Sequence, residues 1–442
     1  MALSRSSAEL TQRRPAEVAP AETPVLLTMA GYGGTLAAAR CLGRAGIPVT
    51  IAQDHAGQPT AWSRWTTRRV RCPDFRDSRR LIDRLLELGS RGPRHVLYPT
   101  CDDLAFLFAR HADELEKHFL LYQPPLETLL TLLDKRSLGV AATAAGLHTP
   151  VTYVPRDEAA LARIAREARF PLMIKPCTQV MFRTQNKGTC VDKPDDLLET
   201  YRAYTRANTY LPPLLEERPD VVRPTLQEYL PEAEENVHSV AGFVDREGRL
   251  FVARASRKVL QQPRHVGVGV CFEDAPLDPA DAEGIARLCK ATGYFGVFEA
   301  EFIHVGERRL LIDFNPRFYN QMGFDIARGL PLPLFVHAGA RRDERELERA
   351  VLAAQRETNG GPTAWCHRFA LGMMILPQRL SGRMSASATR RWRRWLTSHR
   401  GQTVDATFDR DDVLPALMDA GMYLRQALRH PRGFFRTIVL NR

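Results

Sequence analysis

The chain has 442 residues, 44% of them hydrophobic, and a formal net charge of +11 with a pI near 9.4. That is enough apolar material for two or three packed units, so wholesale disorder is not expected. No stretch nears the roughly 18 consecutive apolar residues that span a bilayer, and the eight cysteines contain no C-x-x-C spacing, so neither a membrane span nor a zinc or disulfide framework is expected.

Residues 1–22 are polar, carry Pro15 and Pro20 and show no apolar periodicity; they read as a flexible tail. They also lack the apolar core of a secretory signal, so a cytoplasmic protein is expected. The run VLLTMA, the turn GYGG at 31–34, TLAAARCLGRAG and PVTIAQ give strand, tight turn, helix and strand. A further strand, HVLYPT, feeds a helix with Asp102 or Asp103 near its start. Residues 23–125 are therefore expected to form a Rossmann-like, doubly wound unit. Leu36 stands where a dinucleotide fingerprint needs its third glycine, so the turn is not assigned to NAD.

A second αβ pattern follows over 126–340. A helix carries Lys135 and ends near Gly146, another leads to the strand PLMIKP, and strands dominate from 225 to 315. These last strands are expected to pair as antiparallel ribbons around one helix, DPADAEGIARLCKATG. Residues 341–442 are arginine-rich, mostly helical by pattern and without recognisable chemistry. The fold class is thus mixed, α/β then α+β, with a basic helical C-terminal extension.

The sharpest chemical pattern is EFIHVGERRLLIDFNPR, residues 301–317. Two strands joined by a short turn bring Glu301, Asp313 and Asn315 together, and Asp313, Asn315 and Arg317 share a face by strand alternation. Two carboxylates and an amide oxygen are the hard ligands that Mg²⁺ takes alongside phosphate oxygens and water. Mn²⁺ suits the same set. Asp and Asn are disfavoured inside strands, which favours a functional over a decorative role. Lys175 ends an apolar strand, where an ammonium calls for an anion. Lys135, Lys187 and Lys258 fall in the same region of a lysine-poor chain.

These elements, in this order, resemble the ATP-grasp superfamily over roughly residues 24–340. The resemblance implies ATP held between antiparallel sheets. It makes Lys135 and Lys175 the lysines on the phosphates, Glu228, Tyr229 and Leu230 the hinge along adenine, and Glu235 the acid on the ribose, with Glu234 as its near rival. Glu301, Asp313 and Asn315 become the metal ligands and Arg317 the arginine on the transferring phosphoryl group. The segments AWSRWTTRRVRCP, SRKVLQQP and HVGVGVCFE resemble the carboxylate–amine ligase branch, which includes D-aspartate ligase. On that likeness Arg257 or Lys258 binds the acyl phosphate or its carboxylate precursor, and Gly267 and Gly269 let backbone approach the substrate. Two departures stand out: the loop after Lys175 is not glycine-rich, leaving Thr184 and Lys187 to cover the γ-phosphate, and position 313 is Asp where Glu is usual.

The implied activity is formation of an amide or peptide bond through an acyl phosphate, with ADP and phosphate released. The alternatives are phosphoryl or acyl transfer to another acceptor, and a non-catalytic nucleotide-binding protein that touches a membrane through RRWRRWLTSH and LRQALRHPRGFFRTIVL. The basic charge suits anionic small molecules, an anionic membrane or nucleic acid, of which nucleic acid is not expected. His238 and His265 are candidate bases, and a homodimer is in keeping with the resemblance.

Overall fold

The computed structural model describes residues 22–183, 188–262, 268–357, 361–382 and 384–435. Five short strands, β1 (Val25–Leu27), β2 (Val49–Gln53), β3 (Arg68–Arg71), β4 (His95–Leu97) and β5 (Phe119–Leu121), form an all-parallel sheet in the order β3-β2-β1-β4-β5. The near-continuous apolar runs of β1 and β2 suit strands buried on both faces. The helix Gly33–Arg44 follows β1 through the GYGG turn, and the helix Asp102–Arg110 starts just beyond β4 with both aspartates in its first turn.

A small sheet comes next: β6 (Thr152–Tyr153), β7 (Leu172–Lys175), β8 (Thr189–Val191) and β9 (Thr225–Glu228), antiparallel in the order β6-β9-β7-β8. Leu172, Ile174 and Leu226 on these strands meet Leu161 and Ile164 of the helix Glu158–Glu167 and Tyr201 and Tyr204 of the helix Leu197–Ala207. This gives the small sheet a core of its own. Asp157 caps the first of these helices by accepting from Ala160 N at 2.7 Å.

The third sheet is the largest. It comprises β10 (Val237–Val244), β11 (Phe251–Gln262), β12 (Val268–Ala275), β13 (Gly296–Val305), β14 (Arg308–Asn315), β15 (Ala364–Cys366) and β16 (Thr403–Asp405), in the order β14-β13-β10-β11-β12-β15-β16. From β14 to β15 every pairing is antiparallel, as the ribbon pattern predicts. The helix Pro279–Thr292 lies between β12 and β13 in sequence, opened by the Asp278 cap and closed by Gly293 at φ +69. Apolar side chains of the parallel sheet, such as Leu27 and Ile51, share one core with Phe243, Val297, Phe318 and Phe335.

The C-terminal region is more than a helical appendage. Cys366 of β15 pairs with Cys271 of β12, which extends the large sheet. The tryptophans of RRWRRWLTSH turn inward: Trp392 and Trp395 are buried beside Leu260, Val270 and Met374, leaving the arginines of that helix outside. No helix among the described residues is long and apolar enough to cross a membrane.

Candidate active site

The site is built on the β13–β14 hairpin, whose register sets Glu299 opposite Asn315 and Glu301 opposite Asp313. Just beyond, the partners jump from Asp313 to Leu311, so Ile312 is a bulge. Such an extra residue re-aims the strand, and here the Ile312 carbonyl comes within 3.5 Å of Lys135 Nζ. Lys135 is brought in by a cap: Asp134 accepts from Arg136 N at 2.9 Å, so the helix Lys135–Ala144 begins at the lysine itself. Lys135 N donates to Cys177 O at 2.7 Å, fastening the helix start to the chain just past Lys175.

Anions and cations then alternate through a cleft of about 210 Å³. Lys135 Nζ lies 3.1 Å from Asp313 Oδ1. The ammonium of Lys258, on β11, pairs with the Glu301 carboxylate. Arg317 lies 2.9 Å from Asp102 and also donates to Asn315 Oδ1 at 2.7 Å. Asn315 Nδ2 donates to Glu299 Oε2 at 2.9 Å. Lys175 Nζ donates to Gln227 Oε1 at 2.7 Å across the small sheet. Lys135, Lys175, Lys258, Glu301, Asp313, Asn315 and Arg317 thus converge on one cleft, lined also by Tyr32 and Gly269.

Burial and charge tune these groups in opposite directions. Burial, reinforced by Lys135, pushes the Lys175 ammonium down to about 8. Burial also works against the Lys258 ammonium, but Glu301, Glu299 and Asp313 outweigh it and hold its pKa above the ordinary lysine value. Burial opposes ionisation of Asp313 too; there the cations Lys135, Arg317 and Lys175 win and its pKa falls. Glu299, buried next to Glu301, is raised.

Other expected residues fall elsewhere. Neighbours on a strand face opposite ways, and Arg257 points away from Lys258, to Glu273 at 2.6 Å; it is not part of the cleft. His238, opposite Arg257 in register, stacks on His304 with ring centroids 3.7 Å apart. Burial, then His304 and Arg257, push His238 down to about 4, and it too lies outside the cleft lining. Glu235 is 3.6 Å from Arg391 and does not line the cleft, whereas Ala233 does. Glu228, Tyr229 and Leu230 do lead from the small sheet to the large one. Glu228 is anchored there, its Oε1 accepting from Val151 N at 2.9 Å, and Tyr229 N donates to Pro171 O at 3.3 Å. Thr184, Lys187, His265 and Gly267 lie outside the described residues.

Sequence reasoning missed Glu299 and Asp102 in the cleft and Gln227 as the partner of Lys175; the GYGG turn, which the resemblance implies lines a substrate or ATP-proximal pocket, does bring Tyr32 into the cleft. Glu299 had a signal, since the pattern E-A-E on β13 puts it on the same face as Glu301. Asp102 had none, because only the fold carries it to Arg317.

The donor set fits magnesium. Among the described residues no three His, Cys, Asp or Glu groups are gathered closely enough to hold a metal ion unaided. The cleft instead offers Glu299, Glu301, Asp313 and the Asn315 oxygen, a partial set of hard ligands of the kind Mg²⁺ completes with phosphate and water.

Comparison with solved structures identifies the fold. Biotin carboxylase from Campylobacter jejuni, solved as a β,γ-ATP complex, is similar at a TM-score of 0.57 and 16% identity, covering 72% of this chain and 71% of that one. The biotin carboxylase domain dimer of 2-oxoglutarate carboxylase from Hydrogenobacter thermophilus, with MgADP and bicarbonate, gives 0.58 and 17%, covering 72% and 70%. An L-amino acid ligase from Bacillus licheniformis gives 0.55 and 15%, covering 73% and 75%. The fold is that of ATP-grasp proteins. No protein-family model matches the sequence, and no curated protein is a significant match.

Proposed function

We propose that the chain is an ATP- and Mg²⁺-dependent carboxylate–amine ligase. The observation that carries this reading is the cleft in which Lys135, Lys175, Lys258 and Arg317 interleave with Glu299, Glu301, Asp313 and Asn315. A triphosphate and a metal ion are together the ligand that satisfies both signs of charge. The similar structures described with ADP and magnesium, or as an amino acid ligase, support the same reading.

In this reading Lys135 and Lys175 hold the phosphates, 228–230 flank the base, and Glu299, Glu301, Asp313 and Asn315 hold Mg²⁺. The metal, when bound, screens charge on the β- and γ-phosphates. Lys258 and Arg317 steady the substrate oxygens and the γ-phosphoryl group in line, so that catalysis is mainly positioning and charge stabilisation. A carboxylate oxygen bonds to the γ-phosphorus as the bond to the β–γ bridging oxygen breaks, and ADP leaves with that electron pair. The amine nitrogen then attacks the acyl carbon, its C–O bond to phosphate breaks, phosphate leaves and the amine proton passes to solvent. The units 23–125, 126–340 and 341–442 are the working partition of this reading, and a homodimer remains part of it.

The test is ADP release from MgATP with a panel of carboxylates and amines, comparing the natural chain with Asn315→Ala and Lys175→Ala. Substrate-dependent ADP and a condensed product from the natural chain, lowered at least about a hundredfold in each variant, are expected. Turnover of equal size in both variants would overturn the reading.

A further inference from the structure

A second chamber, of about 640 Å³, opens beside the catalytic cleft and shares Tyr32, Val268, Gly269 and Asn320 with it. Its floor is the GYGG turn, where a Cβ on Gly33 would sit 2.6 Å from Asn320 Oδ1, so the bare glycine lets Asn320 stand at the shared mouth. Its far wall is made by the helices Arg368–Leu380 and Leu414–Arg429, which present Met374, Met422 and Tyr423. Such a chamber, joined to a charged cleft, has the make-up of a small-molecule site: apolar surface with a few polar groups.

The charges on its wall select the sign of the occupant. Asp419, its one acidic residue, lies 3.3 Å from His367 Nε2. Arg425 and Arg429 line the same wall, and neither forms an ion pair among the described residues. Both are exposed, so they act through their positive field, which draws a carboxylate in toward the cleft and disfavours an ammonium.

We propose that this chamber holds the apolar body of the carboxylate substrate, a hydrocarbon- or aryl-bearing acid whose carboxylate lies at the shared mouth by Tyr32 and Asn320. The inference rests on the ligase reading and names the class of acid. It also gives the C-terminal region a role in the site, as the wall that sets which acid is activated.

Calorimetric titration of the full chain with butyrate, hexanoate, octanoate and decanoate tests it without requiring turnover. Each added methylene is expected to tighten binding about fourfold. Met422→Trp, which narrows the chamber, should weaken decanoate at least about tenfold, and exposed Arg429→Ser should weaken every acid. Circular dichroism and ATP titration report whether each variant is folded. Affinity independent of chain length, or decanoate binding unchanged in both folded variants, would overturn the inference. Chain-length-dependent binding without ADP release in the presence of any amine sinks the ligase reading and leaves the chamber assignment standing. ADP release indifferent to chain length does the reverse.

Discussion

Lys175 shows how much one residue's surroundings decide. A lysine at a strand end is ordinary by sequence; burial and the nearby Lys135 bring its pKa down to about 8. A bound triphosphate needs the ammonium, so nucleotide affinity should be full below that value and fall as pH rises through it. Titrating ATP between about pH 7 and pH 9.5 should show a loss of roughly tenfold per unit at most above the midpoint. Lys175→Met should bind weakly throughout and show a flatter profile. Asp313 and Asn315 were legible because polar residues alternate at the end of an otherwise apolar strand; Arg317 lies two residues past the end of β14, so strand alternation does not place it, and it joins them through its contacts with Asp102 and Asn315. The choice between Arg257 and Lys258 was not, because adjacent strand residues face opposite ways and sequence alone does not say which face is the cleft.

At the scale of elements, the GYGG turn matters by proximity. A Cβ on Gly34 would sit 2.4 Å from Tyr319 O, a backbone atom that cannot swing aside. The turn therefore packs directly on the segment that follows Arg317, and it carries Tyr32 into the cleft. Gly34→Ala should cost about 1–3 kcal/mol in denaturant unfolding, because the helix Gly33–Arg44 has to move away. The longer elements could be read from periodicity and caps: the helix that carries Lys135, the strand ending at Lys175, the ribbons from β10 to β14; that the helix opens at Lys135 itself, after a separate helix Leu126–Leu133, was not. Strands β15 and β16, three residues each, are too short to show a period of two, so their place in the large sheet was invisible in the sequence.

Across the whole molecule, the first and last parts of the chain are joined through buried charge. Arg40 lies 2.9 Å from Asp412, which also accepts from Ser63 Oγ at 2.7 Å and Arg64 N at 2.8 Å. Asp412→Ala leaves the Arg40 guanidinium without its carboxylate; a loss of about 3–5 kcal/mol is expected. Limited proteolysis should then cut first in the C-terminal region. No sequence pattern announces a pair 372 residues apart. Nor does the overall charge of +11 describe the cleft, where Lys135, Lys175, Lys258 and Arg317 stand against Asp102, Glu299, Glu301 and Asp313. Three of these pairs, Lys135 with Asp313, Lys258 with Glu301 and Arg317 with Asp102, already satisfy one another, so a nucleotide entering alone would strand their acids and a metal entering alone would strand their bases. Arriving together, the two exchange partners with the protein and leave nothing unpaired. On the ligase reading the cleft therefore couples them: each is expected to raise the affinity of the other by the same factor, so ATP binding measured with the cation chelated should be weaker than with it present.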